Sequence, residues 1–109
     1  MKNDLGYPVC IGNRRRFIAI DGEHVFVTIE DEIVRPQGPK PYTKLIYLQK
    51  LKFEKDGHIE YRFTYYMKGV KEGRTKGQWV FAQYSLVVPA ADLKWLLKQA
   101  RKRQWKGFE

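Results

Sequence analysis

The chain has 109 residues, 43% of them hydrophobic and 15% aromatic, which predicts one folded domain and excludes a disordered tail despite 30% charged residues. Its 21 Lys and Arg against 12 Asp and Glu give a formal net charge of +9, which favours a polyanionic partner: DNA, RNA or an anionic membrane surface. No run approaches the roughly 18 apolar residues of a membrane span, and Met1-Lys2-Asn3-Asp4 lacks the apolar core of a signal peptide, so an intracellular protein is expected.

In chain order, residues 1–13 read as a loosely held arm, broken by Gly6, Pro8, Gly12 and Asn13. Within it lies Cys10, the only cysteine, which allows neither an internal disulfide nor a cysteine-based zinc site and reads as a small, inert residue. Residues 14–34 form a hairpin candidate in which Asp21-Gly22 supplies the two positive φ angles of a type I′ turn between Phe17–Ile20 and Glu23–Ile29. Residues 35–41 hold Pro36, Pro39 and Pro41 and read as a connector, because proline donates no ladder hydrogen bond.

Residues 42–88 carry the main antiparallel sheet. Alternation places Leu45, Tyr47, Leu51 and Phe53 on one face of a strand from Thr43 to Glu54. The next strand, His58 to Lys68, does the same with Ile59, Tyr61, Phe63, Tyr65 and Met67. A three-residue loop, Lys55-Asp56-Gly57 with Gly57 left-handed, keeps both apolar sets on one side, pairing Phe53 with Ile59, Tyr47 with Tyr65 and Lys52 with Glu60. A basic loop with Lys71, Arg74 and Lys76 leads to a third strand, Gln78 to Val88, with Val80, Ala82, Leu86 and Val88 inward. Residues 89–106 read as a helix opened by Pro89, with Asp92 near its positive end and cations in its second half. Leu93, Leu96, Leu97, Ala100 and Gln104 form its packing face, and Trp95 lies opposite, where a dimer contact is the leading reading. The fold class is α+β: an antiparallel sheet of four to five strands, two hairpins plus a further strand, followed by one C-terminal helix packed on one face.

With the odd faces inward, the outward face carries Lys44, Ile46, Leu48, Lys50 and Lys52, then Arg62, Thr64, Tyr66 and Lys68, joined by Trp79 and Phe81. Single-strand binding needs both kinds of side chain. Cations replace phosphate counterions, and flat rings receive unstacked bases at roughly 1–3 kcal/mol each. The competing readings are a solvated face or one that contacts protein.

The hairpin ending Tyr65-Tyr66-Met67, the loop Gly73-Arg74-Thr75-Lys76-Gly77, the strand ending Ser85-Leu86 and the helix opened by Pro89 carry a resemblance over Lys52–Gln99. The segment resembles the positive cofactor four family of single-stranded-DNA-binding transcriptional coactivators. The resemblance implies a homodimer joined through its helix, with single strands held on the sheet. It makes Lys50, Lys52, Arg62, Tyr66, Arg74, Lys76 and Trp79 candidate DNA contacts.

For catalysis, His24 and His58 have nothing that brings them together, and each reads as a surface residue. Asp21, Glu23, Glu30, Asp31 and Glu32 read as a solvated acidic edge rather than a Mg²⁺ cluster. No cofactor motif is present. The expected function is therefore non-catalytic binding of single-stranded nucleic acid, DNA ahead of RNA, by a homodimer. The binding residues are Lys50, Lys52, Arg62, Tyr66, Lys68, Arg74, Lys76, Trp79 and Phe81, with Trp95 at the dimer contact. A protein-interaction adaptor of phage or mobile-element type, and a small basic nuclease, are the alternatives.

Overall fold

The computed structural model describes residues 2–69, 77–82 and 85–109. Five strands, β1 (Arg14–Ile18), β2 (His24–Gln37), β3 (Lys44–Phe53), β4 (Ile59–Lys68) and β5 (Trp79–Ala82), precede one helix, α1 (Ala90–Lys102). The strands follow one another in the antiparallel order β1-β2-β3-β4-β5, so the α+β class with a C-terminal helix stands. Two compact units divide the chain: Met1–Glu32 with Gln49–Arg62, and Ile33–Leu48 with Phe63–Glu109.

In the first unit, β1 pairs with β2 from Arg14↔Thr28 to Ile18↔His24. Ala19 N–H bonds Glu23 O at 2.8 Å and Gly22 N–H bonds Ala19 O at 2.8 Å, with Gly22 at φ 85°. The turn is thus a three-residue loop, Ile20-Asp21-Gly22, rather than the expected two-residue one. A single left-handed glycine suffices there, and Asp21 instead bonds Glu23 N–H at 2.9 Å through its carboxylate.

The arm is not loose. Asn3 Oδ1 accepts from Leu5 N–H (2.9 Å) and Tyr7 N–H (3.0 Å), and Lys2 bridges Pro8. Gly12 N–H bonds Ile29 O at 2.7 Å, while Ile29 N–H returns to Asn13 O at 2.9 Å. Tyr7 and Cys10 join Val27, Ile29 and Leu51 in the core of this unit. Apolar anchors outweigh the glycines that suggested a free arm.

The loop between β3 and β4 has four residues, not three. Phe53 N–H bonds His58 O at 2.9 Å and Gly57 N–H reaches Phe53 O at 2.8 Å, so Phe53 pairs with His58, and their rings stack at 4.2 Å. Gly57 is left-handed as expected, at φ 76°. The extra loop residue comes with an Asp56 carboxylate that accepts His58 N–H at 3.0 Å and tightens the turn from inside. Because the side-chain period is two, this shift turns every β4 side chain to the other face relative to β3. Lys52 stands opposite Ile59, not Glu60.

In the second unit the same register holds, since Lys68 N–H bonds Thr43 O at 2.9 Å. β4 pairs with β5 from Tyr65↔Ala82 to Lys68↔Trp79. Leu45, Ile46, Tyr47 and Leu48 are buried on both faces of β3, and with Ile33, Tyr65, Leu96, Ala100 and Trp105 they form this unit's core. Pro36 lies inside β2, against the expected connector. It is tolerated because β1 reaches only to Thr28, so this end of β2 lacks a β1 neighbour. β5 is described as Trp79–Ala82, residues 85–88 lie outside any strand against the expected strand to Val88, and Val80 is exposed rather than inward.

Pro89 is the residue before the helix, without a side-chain cap, and the helix stops at Lys102 rather than 106. Gln104 takes φ 55°, its N–H bonds Arg101 O at 3.0 Å, and Trp105 N–H bonds Ala100 O at 3.2 Å. This is a Schellman ending, and the buried pair Ala100 and Trp105 supplies its apolar contact. Gln104 is therefore exposed at the cap, and Leu93 and Leu97 are 36% and 37% exposed, so the packing face is narrower than expected.

Candidate nucleic-acid interface

The predicted contact residues divide between the two units. In the first unit Arg62 donates from Nε to Gln49 Oε1 at 2.7 Å and lies 5.4 Å over the Phe17 ring. Gln49 Nε2 in turn donates to Glu32 Oε1 at 2.9 Å, and Glu32 Oε2 accepts Cys10 N–H at 2.9 Å. Glu32 and Gln49 are buried, so this is an interior polar chain linking the arm, β2, β3 and β4. Glu32 is thus no part of a solvated acidic edge.

Lys50 and Lys52 point to the opposite face from Arg62, because Gln49 is the residue that stands across from Arg62 and side chains alternate. The expected single outward face for these three does not form. Lys50 Nζ lies 3.6 Å from Glu30, and beside it Arg14 makes a two-point bond to Glu54 at 2.6 and 3.0 Å. That bond raises the Arg14 pKa and holds the Glu54 carboxyl below its ordinary range. Lys52 and Glu54 border a groove of about 430 Å³ with Thr28, Glu30, Phe53 and Gly57. Carboxylates occupy much of this surface.

In the second unit the structure brings four predicted residues together. The β4–β5 register sets Tyr66 beside Phe81 and Lys68 beside Trp79 on one face. The Tyr66 ring lies 5.5 Å edge-on to Phe81 and 5.1 Å from Tyr47, and Lys68 Nζ is 5.2 Å above the Trp79 ring. Trp79, Tyr66 and Lys68 are half-buried and Phe81 is 40% exposed. Tyr47 is fully buried and supports the cluster from beneath; the assumed register hid it by assigning it to the opposite face. Arg74 and Lys76 lie outside the described residues. Trp95 does not stand opposite the packing face: it is half-buried under the Arg35 guanidinium at 4.8 Å, and Arg35 also bonds Asp92 at 3.1 Å.

The charge follows the same division. The first unit holds 8 Lys and Arg against 9 Asp and Glu, the second 13 against 3, so balances of −1 and +10 make up the net +9. The paired rings and the whole of the surplus positive charge belong to the same unit. Among the described residues no group of three or more His, Cys, Asp or Glu side chains is arranged to hold a metal ion. Among the described residues no helix is long and apolar enough to cross a membrane. No family model, no curated protein and no solved structure matches this chain.

Proposed function

We propose that this protein binds single-stranded nucleic acid, DNA ahead of RNA, without catalysis and as a homodimer, through the β4–β5 face of its second unit. The observation that carries the reading is the cluster of Tyr66, Trp79 and Phe81 with Lys68 among them. Rings fixed on paired strands offer stacking surfaces at no further ordering cost, and Lys68 replaces a phosphate counterion beside them. The +10 balance of the unit supplies long-range attraction. The family resemblance points to the same partner, but the interface proposed is smaller than it implies: Arg62 is engaged by Gln49, Lys50 lies near Glu30, and Lys50 and Lys52 face away from Arg62.

Fluorescence anisotropy with single-stranded DNA, single-stranded RNA and duplex DNA across a salt series tests this. Phe81→Ala and Trp79→Ala are expected to weaken single-strand binding by roughly 1–3 kcal/mol each at fixed salt. Lys68→Ala should lower the slope of log affinity against log salt by about 0.7. Equal binding to all three nucleic acids that vanishes with salt, unaltered by Phe81→Ala, would sink the reading.

A further inference from the structure

A groove of about 680 Å³ runs along α1, lined by Lys94, Leu97, Lys98, Arg101, Lys102 and Phe108. Its floor is apolar: Leu97 is 37% exposed and Phe108 is half-buried. The floor is also preformed, because the helix ending buries Trp105, Phe108 N–H bonds Trp105 O at 2.8 Å, and the two rings meet edge-on at 6.5 Å. Four cations stand along the rim at helical spacing. The helix's one acid, Asp92, is engaged by Arg35, and no carboxylate pairs with Lys94, Lys98, Arg101 or Lys102 among the described residues.

We propose that this groove docks an acidic peptide segment of a partner protein, with a large apolar side chain seated against Leu97 and Phe108 and its carboxylates on the four cations. Both halves of the groove are needed to choose this occupant. A nucleic-acid strand would neutralise the rim but leave the aliphatic floor facing sugars and phosphates. A lipid surface calls for a helix with a broad apolar face, whereas this 13-residue helix turns only Leu93 and Leu97 outward and buries Leu96 and Ala100. An acidic segment with apolar anchors satisfies floor and rim together, and a groove of about 680 Å³ has room for a large apolar anchor with its neighbouring residues. The site lies apart from Trp79 and Phe81 in sequence and does not rest on the single-strand reading.

The test is anisotropy of a labelled synthetic peptide in which Glu and Asp alternate with Leu and Phe, added to the full chain. Leu97→Ser removes part of the floor, and Lys98→Glu with Arg101→Glu reverses the rim; circular dichroism checks that both variants fold. Each is expected to weaken peptide binding by about tenfold or more. Serine in place of the peptide's Leu and Phe should weaken it as much, while Leu97→Ser leaves single-stranded DNA affinity unchanged. The proposal is overturned if Leu97→Ser binds the peptide normally or if the serine peptide binds as well as the parent. It is likewise overturned if Leu97→Ser costs as much affinity for DNA, or for vesicles of anionic lipid, as for the peptide.

Discussion

At the residue scale, His58 is the clearest titrating group. Its Nε2 meets Glu60 at 2.6 Å and its Nδ1 meets the Asp56 carboxylate, so its pKa is raised above the ordinary 6.5, chiefly by the bond to Glu60 and then by Asp56. Asp56 is lowered from 3.8, first by the His58 backbone N–H and then by the ring. The signs follow. The His58 contribution to stability is complete below pH 6.5 and is lost as pH rises through the folded value; the Asp56 contribution is present above 3.8 and lost as pH falls through its folded value. The hairpin is therefore expected to be tightest between these limits. An NMR titration should place the His58 midpoint above 6.5, and Asp56→Asn with Glu60→Gln should return it toward that value; an unshifted wild-type midpoint would refute the geometry. Gln104 offers a second residue-scale check. A non-glycine side chain held at φ 55° carries strain, so Gln104→Gly is expected to stabilise the fold by about 0.5–1 kcal/mol in thermal or urea unfolding.

At the element scale, the polar contacts of the first unit differ in worth because they differ in burial. Gln49 joins the buried Glu32 to the half-buried Arg62, and Gln49→Leu would remove that partner from both. The expected loss is about 1–3 kcal/mol by chemical unfolding. Glu30→Ala removes the Lys50 partner at the surface, where a pair at 3.6 Å is worth about 0–1 kcal/mol. A larger loss from Glu30→Ala than from Gln49→Leu would contradict this ordering. The alternation of apolar residues made β3 and β4 legible, whereas the Schellman ending was not, because its left-handed position is held by Gln104 rather than by a glycine or asparagine that would mark it. The register between β3 and β4 was not legible. Loops of three and four residues both suit Glu54-Lys55-Asp56-Gly57, and the choice depends on where the Asp56 carboxylate and the Phe53–His58 ring stack fall.

At the scale of the whole molecule, a net charge of +9 describes no part of the chain well. The first unit is close to neutral and the second carries +10. If attraction to nucleic acid came from net charge alone, Lys52→Glu and Lys68→Glu would weaken binding equally, since each changes the total by the same amount. The proposed interface predicts otherwise. Lys68→Glu, beside the Trp79 ring, should cost much the larger part of single-strand affinity at a given salt concentration, and Lys52→Glu little. Matched anisotropy titrations of the two variants decide between them, and equal losses would favour charge over a built surface.

The sequence by itself determined the α+β class, the places of β1, β3 and β4, the C-terminal helix and the residue types from which an interface would be chosen, because alternation, turn residues and helical spacing are local properties of the chain. Tertiary structure decided which of those residues meet. One added loop residue separated Lys50 and Lys52 from Arg62, placed Tyr66 above Tyr47, and left Trp79 and Phe81 to complete the cluster across β5. Side-chain facing in a sheet has a period of two, so a one-residue difference in register, small in local energy, reassigns every side chain on the strand.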